Sequence, residues 1–248
     1  MTTATLPDPI AAALRDPDPG QRIMVEAAGI PWSAMVWGAH EARPLLLIHG
    51  VTASAAVWWR VGPALAAGGR RVTAVDQLGH GRTGNWQGRH QHRDNATAIA
   101  AFVRAAGLDR PDLQVVGHSW GAVTAAALPA VGLRPATLVL LDPPVLPLEV
   151  IAREAADPGQ QPSEDLEAAI AAVRAPEPTW SDGDVRAKAG ALLQLDFDAA
   201  RAVLLDNGDW DGGLAELRDP AAADLDVWVV RGDPATGSYV DDDAASAF

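Results

Sequence analysis

Short apolar runs alternate with longer amphipathic stretches through the middle of the chain. Runs of four or five mainly apolar residues predict strands buried on both faces, at 44–48, 71–75, 113–116, 137–141 and 227–230. Helical patterns lie between the first four runs, at 55–67, 96–106 and 119–131. This alternation from residue 44 to residue 144 predicts an α/β fold, a mainly parallel sheet with helices on both faces.

The pattern changes on either side of this region. Residues 23–27 and 32–37 predict two strands separated by a turn at Gly29–Pro31, preceded by a loose N-terminal arm with one short helix. After residue 144, prolines separate helical stretches near 164–174 and 184–195, which predicts an inserted helical cap. The predicted division is an arm at 1–20, a core at 21–144, a cap at 145–224 and an incomplete continuation of the core at 225–248.

Composition narrows the classes of protein that fit. Apolar residues make up 48% of the 248 residues and charged residues 21%, which is typical of a folded domain. The chain has no cysteine, so disulfides and thiolate nucleophiles are excluded. A formal charge of -13 disfavours nucleic acid as a partner. The sequence shows neither a signal peptide nor an apolar run of about 18 residues, so we predict no membrane span and a cytoplasmic location.

The strongest chemical motif is Gly117–His118–Ser119–Trp120–Gly121, between the strand at 113–116 and a helix of small residues. A serine on a sharp strand-to-helix turn leaves little room for its neighbours, which explains glycine two residues away on each side. The turn would raise the hydroxyl above the sheet, beside free backbone N–H groups at the start of the helix. We therefore predict Ser119 as a nucleophile; the alternative is a serine that only caps the helix.

Two further motifs follow predicted strands. His49–Gly50–Val51–Thr52 follows the strand at 44–48, and Asp76–Gln77–Leu78–Gly79–His80–Gly81–Arg82–Thr83 follows the strand at 71–75. With these loops in this order before the Ser119 turn, the chain resembles the α/β-hydrolase superfamily, of the esterase, lipase and C–C-hydrolase kind, over about residues 20–243.

The resemblance implies a role for particular residues. Ser119 would be the nucleophile, and the backbone N–H groups of Val51 and Trp120 would form the oxyanion hole. His49 and His80 would brace their loops through hydrogen bonds. The other histidines before the turn, His40, His90 and His92, are expected to be exposed, and no metal site is predicted.

The acid and the base of the reaction are harder to assign. In this family an acid and then a histidine follow the serine along the chain. Asp233, after the strand at 227–230, is the predicted acid. The usual Gly-x-x-Asp spacing, however, would place the acid at residue 235, which is an alanine. Asp142, after the strand at 137–141, is therefore kept as the alternative acid. No histidine follows His118. The resemblance therefore predicts that the last strand, the histidine loop and the last helix are missing, and that this chain turns over almost no substrate.

The predicted function is cofactor-free serine hydrolysis of a small apolar ester or a related acyl compound. Five tryptophans, at positions 58, 59, 120, 180 and 210, could line an acyl pocket or simply belong to the core. One alternative is a non-catalytic binding protein that uses the hydrolase pocket. Another is a haloalkane dehalogenase or epoxide hydrolase, which would need a carboxylate where Ser119 stands. The substrate and the oligomeric state stay open.

Overall fold

A seven-stranded sheet forms the centre of the protein in the computed structural model, which describes residues 5–85, 90–156, 163, 165–233 and 237–248. The strands are β1 (Gln21–Ala27), β2 (Ile30–Trp37), β3 (Arg43–Ile48), β4 (Arg70–Val75), β5 (Gln114–His118), β6 (Thr137–Leu141), the short pair β7 (Val145–Leu146) and β8 (Trp210–Asp211), and β9 (Asp226–Val230). The short pair β7 and β8 lies outside the central sheet.

The sheet has the order β1-β2-β4-β3-β5-β6-β9. The five strands β3, β4, β5, β6 and β9 are mutually parallel. At one end of the sheet β2 pairs antiparallel with β4, and β1 pairs antiparallel with β2. The prediction of a mainly parallel sheet is therefore confirmed. In β3, Leu46 and Ile48 enter one apolar cluster, whereas Leu45 and Leu47 enter another on the opposite face. A strand buried on both faces explains the continuous apolar runs in the sequence.

Helices cover both faces of the sheet. The elements are α1 (Asp8–Arg15), α2 (Val61–Ala67), α3 (His92–Ala105), α4 (Trp120–Ala127), α5 (Leu148–Ala155), α6 (Leu166–Arg174), α7 (Asp182–Leu193), α8 (Phe197–Leu205), α9 (Leu214–Leu217) and α10 (Asp242–Ala245). Helices α3 and α4 supply residues to the cluster around Leu46, and α2 packs on the cluster around Leu45. The sheet thus has an apolar layer on each side, as the alternating pattern predicted.

Local chemistry moves some boundaries away from those predicted. The helix expected at 55–67 is a 3-10 turn, Ala55–Trp58, followed by α2, whose first turn contains Pro63. Proline is tolerated there because the N–H groups of a first turn have no helical partner. Helices α5 and α8 were not predicted. Pro147 precedes α5, and the Asp196 side chain accepts a hydrogen bond from Ala199 N at the start of α8, so both had start signals in the sequence.

The hairpin between β1 and β2 closes more tightly than predicted. Ala28 and Gly29 both have positive φ, 52° and 76°, which is the two-residue turn that suits the twist of paired strands. Strand β2 therefore begins at Ile30 and includes Pro31, opposite Glu26 of β1. The turn begins one residue earlier and ends two residues earlier than the sequence indicated.

The segment 145–224 contacts loops that leave the carboxyl ends of β3 and β4. Asp196 N donates to Gly79 O at 2.8 Å, and Asn85 Nδ2 donates to Asp196 Oδ2 at 2.7 Å. Trp59 Nε1 donates to Asp184 Oδ1 at 3.0 Å. These contacts bring α7 and the start of α8 to the carboxyl edge of the sheet. We call the described residues of 145–224 the cap below.

Strand β9 lies at an edge of the sheet. Val227 and Val229 pack against the core, whereas Trp228 and Val230 on the other face keep 62% and 48% of their surface exposed. Among the described residues, no helix has the length and apolarity that crossing a bilayer requires.

Candidate active site

Ser119 occupies the turn between β5 and α4, with φ 53° and ψ -125°. Its N–H donates to Leu141 O of β6 at 2.9 Å, and its carbonyl oxygen accepts from Ala122 N of α4 at 2.8 Å. The backbone is thus held from both sides in a conformation that non-glycine residues rarely adopt. The predicted position at the carboxyl end of a parallel strand is confirmed. The hydroxyl makes no capping hydrogen bond to α4, which argues against the helix-cap alternative.

The two glycines of the motif allow the backbone to make this turn. A β-carbon at Gly117 would lie 2.2 Å from Gly121 O, and one at Gly121 would lie 2.3 Å from Ile48 O at the end of β3. Each clash is with backbone, which cannot move aside without displacing a strand or a helix. Glycine is therefore required at both positions by contact and not by dihedral angle.

The loop after β3 lies directly against Ser119. A β-carbon at Gly50 would approach Ser119 Cβ to 3.0 Å and Ser119 Oγ to 3.4 Å. Val51, the next residue, is half-buried, and Trp120 is buried at the first position of α4. The N–H of a first helical residue has no partner within its helix. The structure therefore brings Ser119, Trp120 and the loop carrying Val51 together at one point.

Asp76 connects that loop with two other segments. This buried carboxylate accepts from Ala55 N at 2.7 Å and from Arg82 N at 3.2 Å, and it pairs with Arg22 Nη1 of β1 at 2.9 Å. One side chain thus joins the loop after β3, the loop after β4 and the hairpin strand. Breaking such a buried pair leaves an uncompensated charge, so the carboxylate is a structural part of the site.

The two candidate acids lie on neighbouring loops but in different surroundings. Asp142 is half-buried at the end of β6, and its carboxylate accepts from Gly232 N at 3.2 Å, from Tyr239 N at 3.2 Å and from the Ser238 hydroxyl. Asp233 is exposed, one residue beyond Gly232. Position 235, where the family spacing would place an acid, lies outside the described residues.

His118 precedes Ser119 and is the histidine closest to it along the chain. The residue as a whole keeps exposed surface. Desolvation of its ring by the surrounding protein nevertheless lowers the pKa of His118 below the usual value. The negative charge of Asp142 opposes the change, and the positive charge of Lys188 adds to it. The charges of an acid on the β6 loop and of a cation on α7 thus both act on His118.

The predicted bracing by His49 and His80 is present. His49 is buried; its Nδ1 donates to Gly50 O at 2.8 Å, and its Nε2 accepts from Gln77 N at 3.0 Å. That pair of bonds requires the neutral ring, and burial lowers the pKa of His49. His80 Nδ1 donates to Leu78 O at 2.8 Å, and burial, with the nearby His49, lowers the pKa of His80 to about 3.

The expectation for the remaining histidines holds only for His40, which is exposed. His90 is buried, and its carbonyl oxygen accepts from Asn207 Nδ2 of the cap at 3.0 Å. His92 is half-buried and begins α3, with its ring edge-on to Trp210 at 5.1 Å. The cap covers both residues, and the local sequence gave no sign of that. The described residues include no group of three His, Cys, Asp or Glu placed to hold a metal ion.

Only part of the predicted tryptophan lining comes together. Trp120 and Trp210 belong to one buried cluster that joins α4 to the cap, and the His80 ring lies 5.4 Å from Trp120. Trp58 belongs to the cluster around Leu45, and Trp180 keeps 39% of its surface exposed. The indole N–H groups of Trp120 and Trp210 have no hydrogen-bond partner among the described residues.

Sequence reasoning missed Lys188, which lies on α7 and donates to Thr52 in the loop after β3. It is the only lysine in the sequence, because the other basic residues are arginines. That rarity was a usable signal, but its position beside the loop depends on how the cap docks.

In the comparison with known families, a family model matches more than half of the chain. A family model described as alpha/beta hydrolase fold matches residues 43–205. A curated relative, epoxide hydrolase B of Mycobacterium tuberculosis, is 34% identical over 83 residues, which are 33% of this chain and 23% of that protein. The chain thus aligns with about a quarter of the length of the curated relative.

Solved structures share the fold at low identity. N-formylmaleamic acid deformylase from Pseudomonas putida S16 is 22% identical with a TM-score of 0.71, over 92% of this chain and 87% of that one. E-2-(acetamidomethylene)succinate hydrolase is 22% identical with a TM-score of 0.69, over 92% and 96%. An esterase from Rhodococcus sp. ECU1013 is 23% identical with a TM-score of 0.63, over 84% and 79%.

The backbone of Ser119 gives a stability prediction. We expect the Ser119→Gly variant to be more stable than Ser119→Ala by about 1 kcal/mol, because glycine adopts a positive φ without strain. Urea unfolding of the two variants measures the difference. The control pair is Ser246→Gly and Ser246→Ala, at a φ of -76°, where alanine should be the more stable. If Ser119→Gly is the less stable of its pair, Ser119 is not held at positive φ in solution.

Burial of His80 predicts a pH dependence of stability. With a pKa of about 3 when folded and about 6.5 when unfolded, the unfolded chain alone takes up this proton between those values. Stability should therefore fall as the pH is lowered from about 6.5 toward 3, by about 1.4 kcal/mol per pH unit for this group. We expect His80→Asn to show a shallower slope of unfolding free energy against pH, and the exposed control His40→Asn to match the parent. Equal slopes in all three proteins would contradict the assignment.

Proposed function

The chain belongs to the α/β-hydrolase fold family, and on that basis we propose that it is a serine hydrolase whose nucleophile is Ser119. The observation that carries the proposal is the backbone of Ser119, held at φ 53° between a parallel strand and a helix with Gly50 against its side chain. Such a turn exposes the hydroxyl at the carboxyl edge of the sheet, where family members place a nucleophile.

The proposed reaction proceeds through an acyl-enzyme. Ser119 Oγ attacks the carbonyl carbon of an ester or related acyl substrate, and the carbonyl oxygen becomes an oxyanion. The backbone N–H groups of Val51 and Trp120 donate to that oxyanion, at a point where the loop after β3 and the start of α4 meet. The proton of the Ser119 hydroxyl passes to the leaving group, which departs as an alcohol or amine. Water then adds to the acyl carbon, the carboxylic acid is released, and a proton from that water returns to Ser119 Oγ.

The acid that orients the base is proposed to be Asp233, on the loop after β9. Asp142 is the rival, because its charge acts on His118. Its carboxylate already holds Gly232, Ser238 and Tyr239, which gives it a structural role in the loop that carries Asp233. The base itself has no candidate after Ser119 in these 248 residues.

The acyl class rests on the site chemistry and on the names of similar structures. A deformylase, a hydrolase of a succinate derivative and an esterase share the fold, so the likeness supports acyl substrates and does not choose between an ester and an amide. The epoxide hydrolase alternative is disfavoured because position 119 is a serine and that chemistry uses a carboxylate nucleophile. The second candidate is a non-catalytic binding protein that uses the hydrolase pocket; the 248 residues contain no histidine after Ser119.

A fluorophosphonate probe tests the nucleophile. We expect slow labelling of Ser119 in the 248-residue chain and almost no hydrolysis of p-nitrophenyl butyrate, because no base occupies the usual position. Added imidazole, a small base, should accelerate labelling, while Ser119→Ala should not react and His118→Gln should react like the parent. Peptide mass spectrometry locates the label.

Two other outcomes would change the function. Fast hydrolysis that is lost in His118→Gln would make His118 the base and refute the expected chain order. A complete lack of labelling, with saturable binding of an acyl ligand, would favour the binding protein.

The two carboxylates can be distinguished in the same assay. We expect Asp233→Asn to lower the imidazole-stimulated labelling rate about tenfold, because an orienting carboxylate favours the productive tautomer of the base. Asp142→Asn should mainly lower stability, since the carboxylate accepts hydrogen bonds from three residues. A normal rate in Asp233→Asn with a loss in folded Asp142→Asn would assign the acid to Asp142.

A further inference from the structure

Lys188 donates two hydrogen bonds to a single residue of the loop after β3. Its Nζ lies 2.6 Å from Thr52 Oγ1 and 3.0 Å from Thr52 O. Lys188 is half-buried on α7, in the cap, and Thr52 is buried with 8% of its surface exposed. A cation thus joins the cap to the residue that follows Val51.

Thr52 adopts a backbone conformation that needs external support. Its φ is 57°, a value at which a β-branched side chain is strained. Strain of this kind persists only where surrounding contacts hold the residue in place. The two bonds from Lys188 engage both the carbonyl oxygen and the hydroxyl of Thr52, which restricts the backbone and the side chain together.

Helix α7 is aligned along the rest of this loop by further contacts. Asp184 Oδ1 accepts from Trp59 Nε1 at 3.0 Å, and Arg60 Nη2 donates to Ser181 Oγ at 3.3 Å. Gly183 packs so closely on the Trp59 ring that a β-carbon there would lie 2.2 Å from it. Burial alone would raise the pKa of Asp184, but the hydrogen bonds from Ser181 and Trp59 outweigh it and lower that pKa.

We propose that Lys188 is a positioning residue through which the docked cap holds the loop at Val51 and Thr52 in the conformation needed to stabilise an oxyanion at Ser119. The proposal rests on the function proposed for Ser119. On this proposal the position of the Val51 N–H depends on α7. The loop keeps the conformation that stabilises an oxyanion only while Lys188 is bonded to Thr52. Lys188 does not need to touch the substrate.

The test must separate loop positioning by Lys188 from a second role, attraction of a substrate carboxylate by its positive charge. Lys188 lies close enough to His118 for its charge to lower the pKa of that ring, so it could instead attract a carboxylate on the substrate. Positioning of the loop affects every acyl compound, whereas charge recognition affects only anionic ones. Two fluorophosphonates, one neutral and one bearing a carboxylate, therefore distinguish the two roles.

The test compares variants of the 248-residue chain in the presence of imidazole. Lys188→Met should slow labelling of Ser119 about ten- to a hundredfold with both probes, because small displacements of reacting groups cost rate steeply. Lys188→Arg should recover most of that loss. Thr52→Val, which keeps the branched shape and removes the hydroxyl, should slow labelling in the same direction and combine with Lys188→Met less than additively. Arg186→Met, an exposed position on the same helix, is the matched control and should label like the parent.

Hydrogen exchange separates this proposal from the proposed function. In Lys188→Met, peptides covering residues 50–56 should exchange faster, while peptides from β5 and β6 stay protected and the melting temperature changes little. If the fluorophosphonate does not label the parent protein at all, the proposed hydrolase function is wrong. The role of Lys188 in holding the loop is then tested only by the hydrogen exchange of residues 50–56. Unchanged exchange in Lys188→Met, or slower labelling with the anionic probe only, would overturn the proposal.

Discussion

The close contact between the β5–α4 turn and the end of β3 is the constraint on which the rest of the site depends. A β-carbon at Gly121 would lie 2.3 Å from Ile48 O, and one at Gly50 would lie 3.0 Å from Ser119 Cβ. Because the turn and the strand are in contact, the loop after β3 begins beside Ser119.

Two buried side chains whose polar atoms all have hydrogen-bond partners, Asp76 and His49, hold the loops around this contact. Asp76 links both loops to the hairpin, and His49 joins Gly50 to Gln77 through a neutral ring. Buried polar groups are costly unless they are paired, so each of these bonds fixes one arrangement of the loops. The carboxyl edge of the sheet is therefore preorganised before any substrate arrives.

The cap also contacts this carboxyl edge of the sheet. It buries Trp210 against Trp120, covers His90 and His92, and contacts the loop after β3 through Lys188. The proposed coupling would make the oxyanion donors responsive to whether α7 is docked. The charges of Asp142 and Lys188 also act on His118, the residue before Ser119.

The sequence by itself determined the parallel sheet, its strands and the turn at Ser119. Short sequence patterns indicate these features: apolar runs typical of strands buried on both faces, and glycines flanking a serine at a strand end. The family resemblance predicted the bracing by His49 and His80. Each ring bonds to backbone within two residues of itself, and His49 also accepts from the distant Gln77 N.

Only the tertiary structure decided the features that depend on distant segments. Lys188 and Thr52 are 136 residues apart, and Asn207 and His90 are 117 apart, so no local pattern could pair them. The environments of Asp142 and Asp233 likewise depend on how two loops from neighbouring strands meet. Local sequence specifies the backbone of Ser119, whereas the charges and contacts around it arise from the docking of the cap and the neighbouring loops.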